Sequence, residues 1–332
     1  MNKLLYKLQS GKNSKYSYYL KHFLCYLIPQ TFYLHKLDRT LQKVSQRTDY
    51  NYIKERVNYY NKLNSINYLP KTALPLYEHR YKKVAPKEGS VYFFDSYEYT
   101  RWFSQSFKWS YRFGDITYIP EIPSIVKSRP IAGNNANSVI MKLNKIRHFI
   151  FVNDTIPFED KQNKIIFRGK SKKKEKRIRF MEKYFQHPLC DLGDIGRYND
   201  GLPTAWKTPK MTIKEHLKYK FIMALEGNDV ASNLKWIMSS NSIAVMPEPE
   251  FETWFMEGTL IPDYHYIRIK ADYSDLEERI NYYIEHPEKA QEIINHAHEY
   301  VEQFKNKKRE KLISLLTLQK YFTQTGQLTK PK

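Results

Sequence analysis

An α/β fold is predicted for this chain by two observations. From about residue 158 to residue 304, short apolar runs alternate with helical stretches, the pattern of a parallel sheet joined by right-handed crossovers. The chain also has 332 residues, 41% hydrophobic and 15% aromatic, which is long and apolar enough for two domains each with its own core.

The elements follow in order. Residues 1 to about 66 are rich in Lys, Arg, Tyr and Leu and read as amphipathic helix. Between Tyr16 and Leu41, basic residues alternate with Phe23, Leu24, Tyr26, Leu27, Ile28, Phe32 and Tyr33, with a break at Pro29. Such a segment lies on an anionic bilayer, or forms the basic outer face of helices packed on the domain. Val91 to Phe94 and His148 to Val152 read as strands. Between them, Phe113 to Asn137 is irregular and carries Pro120, Pro123 and Pro130, a loop length that goes with function or flexibility. Residues 1–157 form the expected first domain.

In the second domain, 158–304, Ile165 to Phe167 is a strand ending at Arg168-Gly169, and a basic helix runs from Lys172 to Phe185. Phe221 to Leu225 is a strand followed by a helix from Val230 to Met238, and Ser242 to Met246 is a strand followed by a helix from Glu250 to Glu257. Trp254 and Phe255 in that helix read as core. His265 to Ile269 is a strand, Ser274 and Glu277 form a capping box for the next helix, and Glu288 to Phe304 is helical. Residues 305–332 form a basic tail with one more helix.

The formal charge of +20 calls for an anionic partner: nucleic acid, an acidic membrane leaflet or a phosphorylated substrate. Two cysteines, Cys25 and Cys190, make neither a disulfide framework nor a metal cluster and point to a reducing compartment. Neither a signal peptide nor a run of membrane-spanning length is expected, so the protein reads as soluble or peripheral. Glycines are few, 11, so those serving positive φ are few as well, with Gly114, Gly169 and Gly227 as candidates.

The segment from His216 to Lys235 carries the clearest chemistry. An apolar strand ends at Glu226-Gly227, and small polar residues open a helix whose free N–H groups suit a pyrophosphate. Gly227 lets backbone approach the phosphates, and Glu226 can accept from ribose hydroxyls. Alternatively, Asn228, Asp229 and Ser232 only cap the helix, and the charge of Asp229 opposes an anion.

This segment resembles the donor-binding region of glycosyltransferase family 90. The matching motifs are Ile166-Phe167-Arg168-Gly169, His216-x-Lys218-Tyr219-Lys220, the Glu226 to Lys235 turn, Glu252-x-Trp254-Phe255, His265-Tyr266-Ile267 and Asp275-Leu276-Glu277. Their order and spacing agree from about residue 110 to 300. The resemblance implies two Rossmann-like domains facing a cleft (the GT-B type), with the acceptor on the first domain and the nucleotide on the second. It implies an inverting transferase that uses a UDP-sugar without a metal or other cofactor. The nucleotide contacts carry over to Asn228, Asp229, Val230, Ala231, Ser232 and Asn233. A family arginine falls on Arg177 or, without an insertion, on Lys176. Where animal relatives place arginine this chain has Asn233, so Arg168, Arg177 and the backbone take more of the diphosphate. The family's catalytic carboxylate falls on Asp115, ahead of Pro120, which as general base would take the acceptor hydroxyl's proton; as an Asp after Gly it equally suits a turn. Lys127 and Arg129 either face the same cleft or are ordinary surface charges. His216 is expected to orient the strand or the nucleotide.

The expected activity is therefore transfer of a hexose from a UDP-sugar to a lipopolysaccharide or lipooligosaccharide core, in the cytoplasm, peripheral at the anionic inner face of the membrane. Transfer to a capsular glycan or a protein hydroxyl is the alternative within the class. A non-catalytic nucleic-acid-binding protein is the alternative outside it, although no nucleic-acid-binding signature supports it.

Overall fold

The basic N-terminal stretch is helical in the computed structural model, which describes residues 10–329. Residues 1–9 of that stretch and 330–332 of the basic tail lie outside the described residues. Helix α1, Lys15–Tyr26, starts at Ser14, whose hydroxyl accepts from the Ser17 N–H at 3.3 Å. Helix α2, Thr31–Gln42, follows the break at Pro29.

Both belong to a compact unit of Ser14–Ile146, Phe251–Met256 and Phe304–Lys332. Its strands are short. β1 (Leu74–Pro75) pairs antiparallel with β2 (Lys108–Trp109). β3 (Tyr111–Arg112), β4 (Ser124–Val126) and, beyond β5 (Ser128–Pro130), β6 (Ser138–Ile140) make a parallel sheet in the order β3-β4-β6. β5 pairs antiparallel with β11 (Phe251–Thr253). The core gathers Phe93, Phe94, Trp109, Ile125 and Val139 with Leu315, Leu318, Tyr321 and Phe322 of the last helix, Lys307–Gln324.

Two expectations are corrected here. Val91 to Phe94 is not a strand but part of a helix, Ser90–Thr100. A short apolar run fits a buried strand or a buried helix turn equally. Here Phe93 and Tyr97, one turn apart, stack at 5.3 Å, and the Ser96 hydroxyl donates back to the Tyr92 carbonyl at 2.7 Å. The expected helix from Glu250 to Glu257 is instead strand β11, because pairing with β5 sets Glu252 opposite Arg129. Trp254 and Phe255 are core as expected, with Trp254 stacked on Tyr60 at 3.8 Å and 9°.

The second unit comprises Met1–Asn13, Arg147–Glu250 and Glu257–Gln303. Its strands β7 (Gln162–Gly169), β8 (Cys190–Asp194), β9 (Tyr219–Met223), β10 (Ile243–Met246) and β12 (Ile267–Arg268) are all parallel, in the order β8-β7-β9-β10-β12. β9 and β10 are buried along their whole length, which is why they read as unbroken apolar runs. The helix after β7, Glu175–Tyr184, packs Phe180, Met181 and Tyr184 against the sheet. The chain is thus a mixed α/β protein with parallel sheets.

Further boundaries differ from expectation in this unit. His148 to Val152 forms no strand, and the Val152 N–H donates to the Ser239 hydroxyl instead. Strand β8 goes unread in the sequence because two aspartates and a glycine surround its one buried apolar residue, Leu192. The helix expected from Val230 opens only at Leu234 and ends at Met238. No capping box forms at Ser274; the box sits at Thr212 and Glu215, where each side chain accepts from the other residue's N–H. Among the described residues, no helix is long and apolar enough to cross a membrane.

Candidate functional site

Numbered along the chain, the five-stranded sheet has the order 2-1-3-4-5. In such a sheet the first crossover leaves on one face and the next on the other, so a crevice opens between strands 1 and 3 at their carboxyl ends. Here those strands are β7 and β9, which end in Arg168-Gly169 and lead into Glu226-Gly227. The two glycine motifs, almost sixty residues apart in sequence, therefore meet at the place where such sheets take ligands.

Arg177, in the first turn of the helix after β7, fills the space between them. Its guanidinium donates to the carbonyls of Lys170 (2.9 Å), Leu225 (2.9 Å) and Glu226 (3.3 Å). Among the described residues, no carboxylate pairs with it. Burial, and secondarily the nearby Arg147, push its pKa down to about 10, and the Asp194 carboxylate, near but not paired with it, offsets only part of that. A β-carbon at Gly227 would lie 3.1 Å from Arg177 Nη2, and one at Gly169 would meet the Phe167 ring at 2.6 Å and Arg177 Nη1 at 3.3 Å. Of the three glycines considered for positive φ, only Gly114 has it, at +103°. Gly227 is bare because Arg177 runs against it, and Gly169 chiefly because the Phe167 ring does, with Arg177 beside it.

The neighbouring cations are committed differently. Lys176 binds Glu226 at 2.6 Å and Glu250 at 2.8 Å, so its charge is spent on carboxylates. Glu226 also accepts from the Glu250 N–H at 3.0 Å. Arg168 turns back along the sheet to Asp191, with its Nη2 2.6 Å from the carboxylate, and Asp191 is level with Ile166 rather than with the strand end. Of the two alternatives for the family cation, the geometry leaves Arg177 unpaired and Lys176 paired.

The turn from Glu226 to Asn233 is irregular and not the opening of a helix. The Gly227 N–H donates to the Asp229 carbonyl at 3.0 Å, and the Asn233 amide donates to the Met223 carbonyl at 3.0 Å, tying the turn to the end of β9. Asp229, Val230 and Ala231 are buried, Ser232 is partly buried, and Asn228 is exposed. His216 lies at the opposite end of β9, its Nδ1 2.8 Å from the Thr212 carbonyl and its ring against Trp236, so it positions the start of the strand. Sequence reasoning missed Asp194, at the carboxyl end of β8. Its carboxylate accepts from the N–H groups of Ser171 (2.7 Å) and Gly196 (3.0 Å) and pairs with Lys207 (2.6 Å), shaping the loop after β7. No signal for it existed without β8.

Within the other unit, Asp115 follows Gly114 just past β3, and its carboxylate pairs with Lys127, directly past β4. Both stand at the carboxyl edge of the three-stranded sheet. Lys127 is fully buried, while the Asp115 side chain keeps 23% of its exposure, enough to meet another molecule. Phe113 and Ile116, on either side of it, line a cavity of about 430 Å³ with Trp109, Tyr111, Arg112 and Tyr118. Neither Lys127 nor Arg129 is a surface charge. Arg129 is wholly buried, its Nε 2.8 Å from Glu252, so that motif glutamate is structural.

Comparison with known proteins gives the family. The family model described as "Glycosyl transferase family 90" matches residues 135–321. An O-glucosyltransferase LpsA of Dichelobacter nodosus is 42% identical over 271 residues, covering 82% of this chain and 83% of that protein. An O-glucosyltransferase rumi homolog of Aedes aegypti is 26% identical over 160 residues, covering 45% of this chain and 38% of the other. Protein O-glucosyltransferase 3 of Rattus norvegicus is 28% identical over 138 residues, covering 40% and 27%. With a family match over more than half its length and a relative aligned across most of both chains, the protein belongs to glycosyltransferase family 90.

Proposed function

We propose that this glycosyltransferase moves a hexose, glucose by analogy with its 42% identical relative, from a UDP-sugar to a lipopolysaccharide or lipooligosaccharide core. In this reading the enzyme is of the GT-B type, with the five-stranded unit taking the nucleotide and the other unit the acceptor. It works in the cytoplasm, peripheral at the inner face of the membrane where such an acceptor is anchored. The observation that carries the nucleotide assignment is Arg177, held rigidly by three carbonyls at the switch point with no carboxylate partner among the described residues.

The reaction is a single displacement. The Asp115 carboxylate takes the proton of the acceptor hydroxyl as its oxygen attacks the anomeric carbon. The bond from that carbon to the diphosphate oxygen breaks with inversion, and its electron pair leaves on UDP. Arg177 and backbone N–H groups of the Glu226 to Asn233 turn meet the charge that develops, the role a divalent ion fills in other transferases. No Asp-x-Asp pair occurs in the sequence to hold such an ion.

A panel of UDP-sugars incubated with the protein in excess EDTA tests the reading. Slow release of UDP from one of them is expected, undiminished by the chelator. Activity lost in EDTA and restored by manganese would refute metal independence. Absence of any turnover, together with steeply salt-dependent binding to plain DNA, would reverse the assignment of class.

A further inference from the structure

Seven of the seventeen large exposed hydrophobic side chains among the described residues fall between Tyr16 and Phe32. Single exposed apolar residues need no explanation, but a cluster does. Along α1 and its C-cap, Tyr16, Leu20, Leu24 and Leu27 lie within an arc of about 80° at 100° per residue, and Ile28 follows in the turn. They form one continuous stripe, with Leu24 58% and Leu27 76% exposed. The opposite face already has its partners. Tyr18 donates to Asp95 at 2.7 Å, and Tyr26 packs on Phe93 and Tyr97. Helix α1 is thus apolar on both sides, and the unit's own core accounts for only one.

Charge narrows what covers the other side. The first 37 residues contain six lysines and no Asp or Glu. Lys15 and Lys21 on α1, and Lys36 and Arg39 on α2, are exposed. Two copies meeting through this face would set like charges against each other, and the stripe is mostly aliphatic, with Tyr16 its one ring, where a track for nucleic-acid bases needs several. Aliphatic side chains accompanied by lysines match a bilayer whose acyl region lies beneath anionic headgroups. We infer that α1 and the turn into α2 are a lipid-docking element that inserts Leu20, Leu24, Leu27 and Ile28 into an anionic bilayer, with these cations on the headgroups. The inference deepens the membrane-surface reading above, and adds that insertion, beyond charge, holds the enzyme there.

Flotation of the full chain with vesicles tests it, using neutral phosphatidylcholine against the same lipid containing phosphatidylglycerol. The chain should float at least about tenfold better with the anionic vesicles. The double variant Leu24→Glu/Leu27→Glu should lose at least about tenfold of that binding even at low salt. Both positions already face water, so the fold should hold, which circular dichroism checks. Changing Lys15, Lys21 and Lys36 to Gln should weaken binding in a salt-dependent way. A Leu24→Trp variant should be quenched by lipids brominated along the acyl chain. Flotation of the double variant at the wild-type level, an unquenched Leu24→Trp variant, or a dimer in lipid-free solution that the double variant dissociates would each overturn the inference. Hydrolysis of UDP-sugar in lipid-free buffer should be the same in every variant. Flotation without any hydrolysis would sink the transferase reading and leave the docking element standing.

Discussion

Arg129, on the β5–β11 ribbon, and Arg177, at the carboxyl edge of the five-stranded sheet, are satisfied in opposite ways. Arg129 has Glu252 at 2.8 Å and the carbonyls of Tyr59, Tyr60 and Ser138, so its charge is answered inside the fold. Arg177 has three carbonyls and no carboxylate partner among the described residues. Both carry guanidinium groups fixed by several hydrogen bonds, so neither burial nor rigidity marks a ligand site. What separates them is the missing negative charge. Arg56 and Lys142, also buried in the Arg129 unit, pair with Glu310, and the half-buried Lys145 pairs with Asp95. Buried Arg101, by contrast, donates to the Cys25 carbonyl and lies over the Tyr33 ring without a carboxylate among the described residues. A missing carboxylate therefore points to a ligand only where, as at Arg177, the cation also stands at the switch point.

Asp115 is where this contrast is most exposed to failure, because it is paired and yet assigned to catalysis. Asp115→Asn keeps the shape and an acceptor for Lys127 but removes the basicity, so transfer should fall by roughly 10²–10⁴-fold. UDP affinity, read by calorimetry, should stay the same. Near-normal transfer with a lowered melting temperature would place Asp115 with Arg129, as a structural partner and no more.

Substituting the two arginines compares them directly. Arg129→Met strands Glu252 in the core and should cost about 3–5 kcal/mol in urea unfolding, with UDP affinity of the folded protein unchanged. Arg177→Met strands no carboxylate and should cost less stability, on the order of 1 kcal/mol, while UDP binding weakens by about 10–100-fold. If Arg177→Met bound UDP normally, the unanswered charge would have another purpose. The smallest expected effect belongs to Gly227→Ala. Its β-carbon would lie 3.1 Å from Arg177 Nη2, so the guanidinium must shift by a few tenths of an ångström. UDP affinity should drop roughly threefold to tenfold, about 1 kcal/mol, with the melting temperature nearly unchanged.

Much of the five-stranded sheet was legible in the sequence because its central strands are buried on both faces and stay apolar throughout. Residues 165–167, 221–225 and 242–246 need no distant partner to be recognised. Strand β8 was hidden because its aspartates answer Arg168 and Lys207, residues 23 positions before and 13 positions after their partners. The short strands β3, β4 and β6, with two or three residues each, carry too little periodicity to be read locally.

The sequence by itself determined the family, the alternation that makes the second unit α/β, and the basic, acid-free first 37 residues. Each of these is a local or ordered pattern that survives without coordinates. Tertiary structure decided what each charge is for. Lys176 and Arg177 are adjacent cations in one helix, and only the approach of Glu226 and Glu250 to one of them tells the paired from the unpaired. Electrostatic pairing depends on separation in space, and these carboxylates lie 50 and 74 residues away along the chain. For the same reason Gly169 and Gly227 read as turn glycines until Arg177 is seen lying against both.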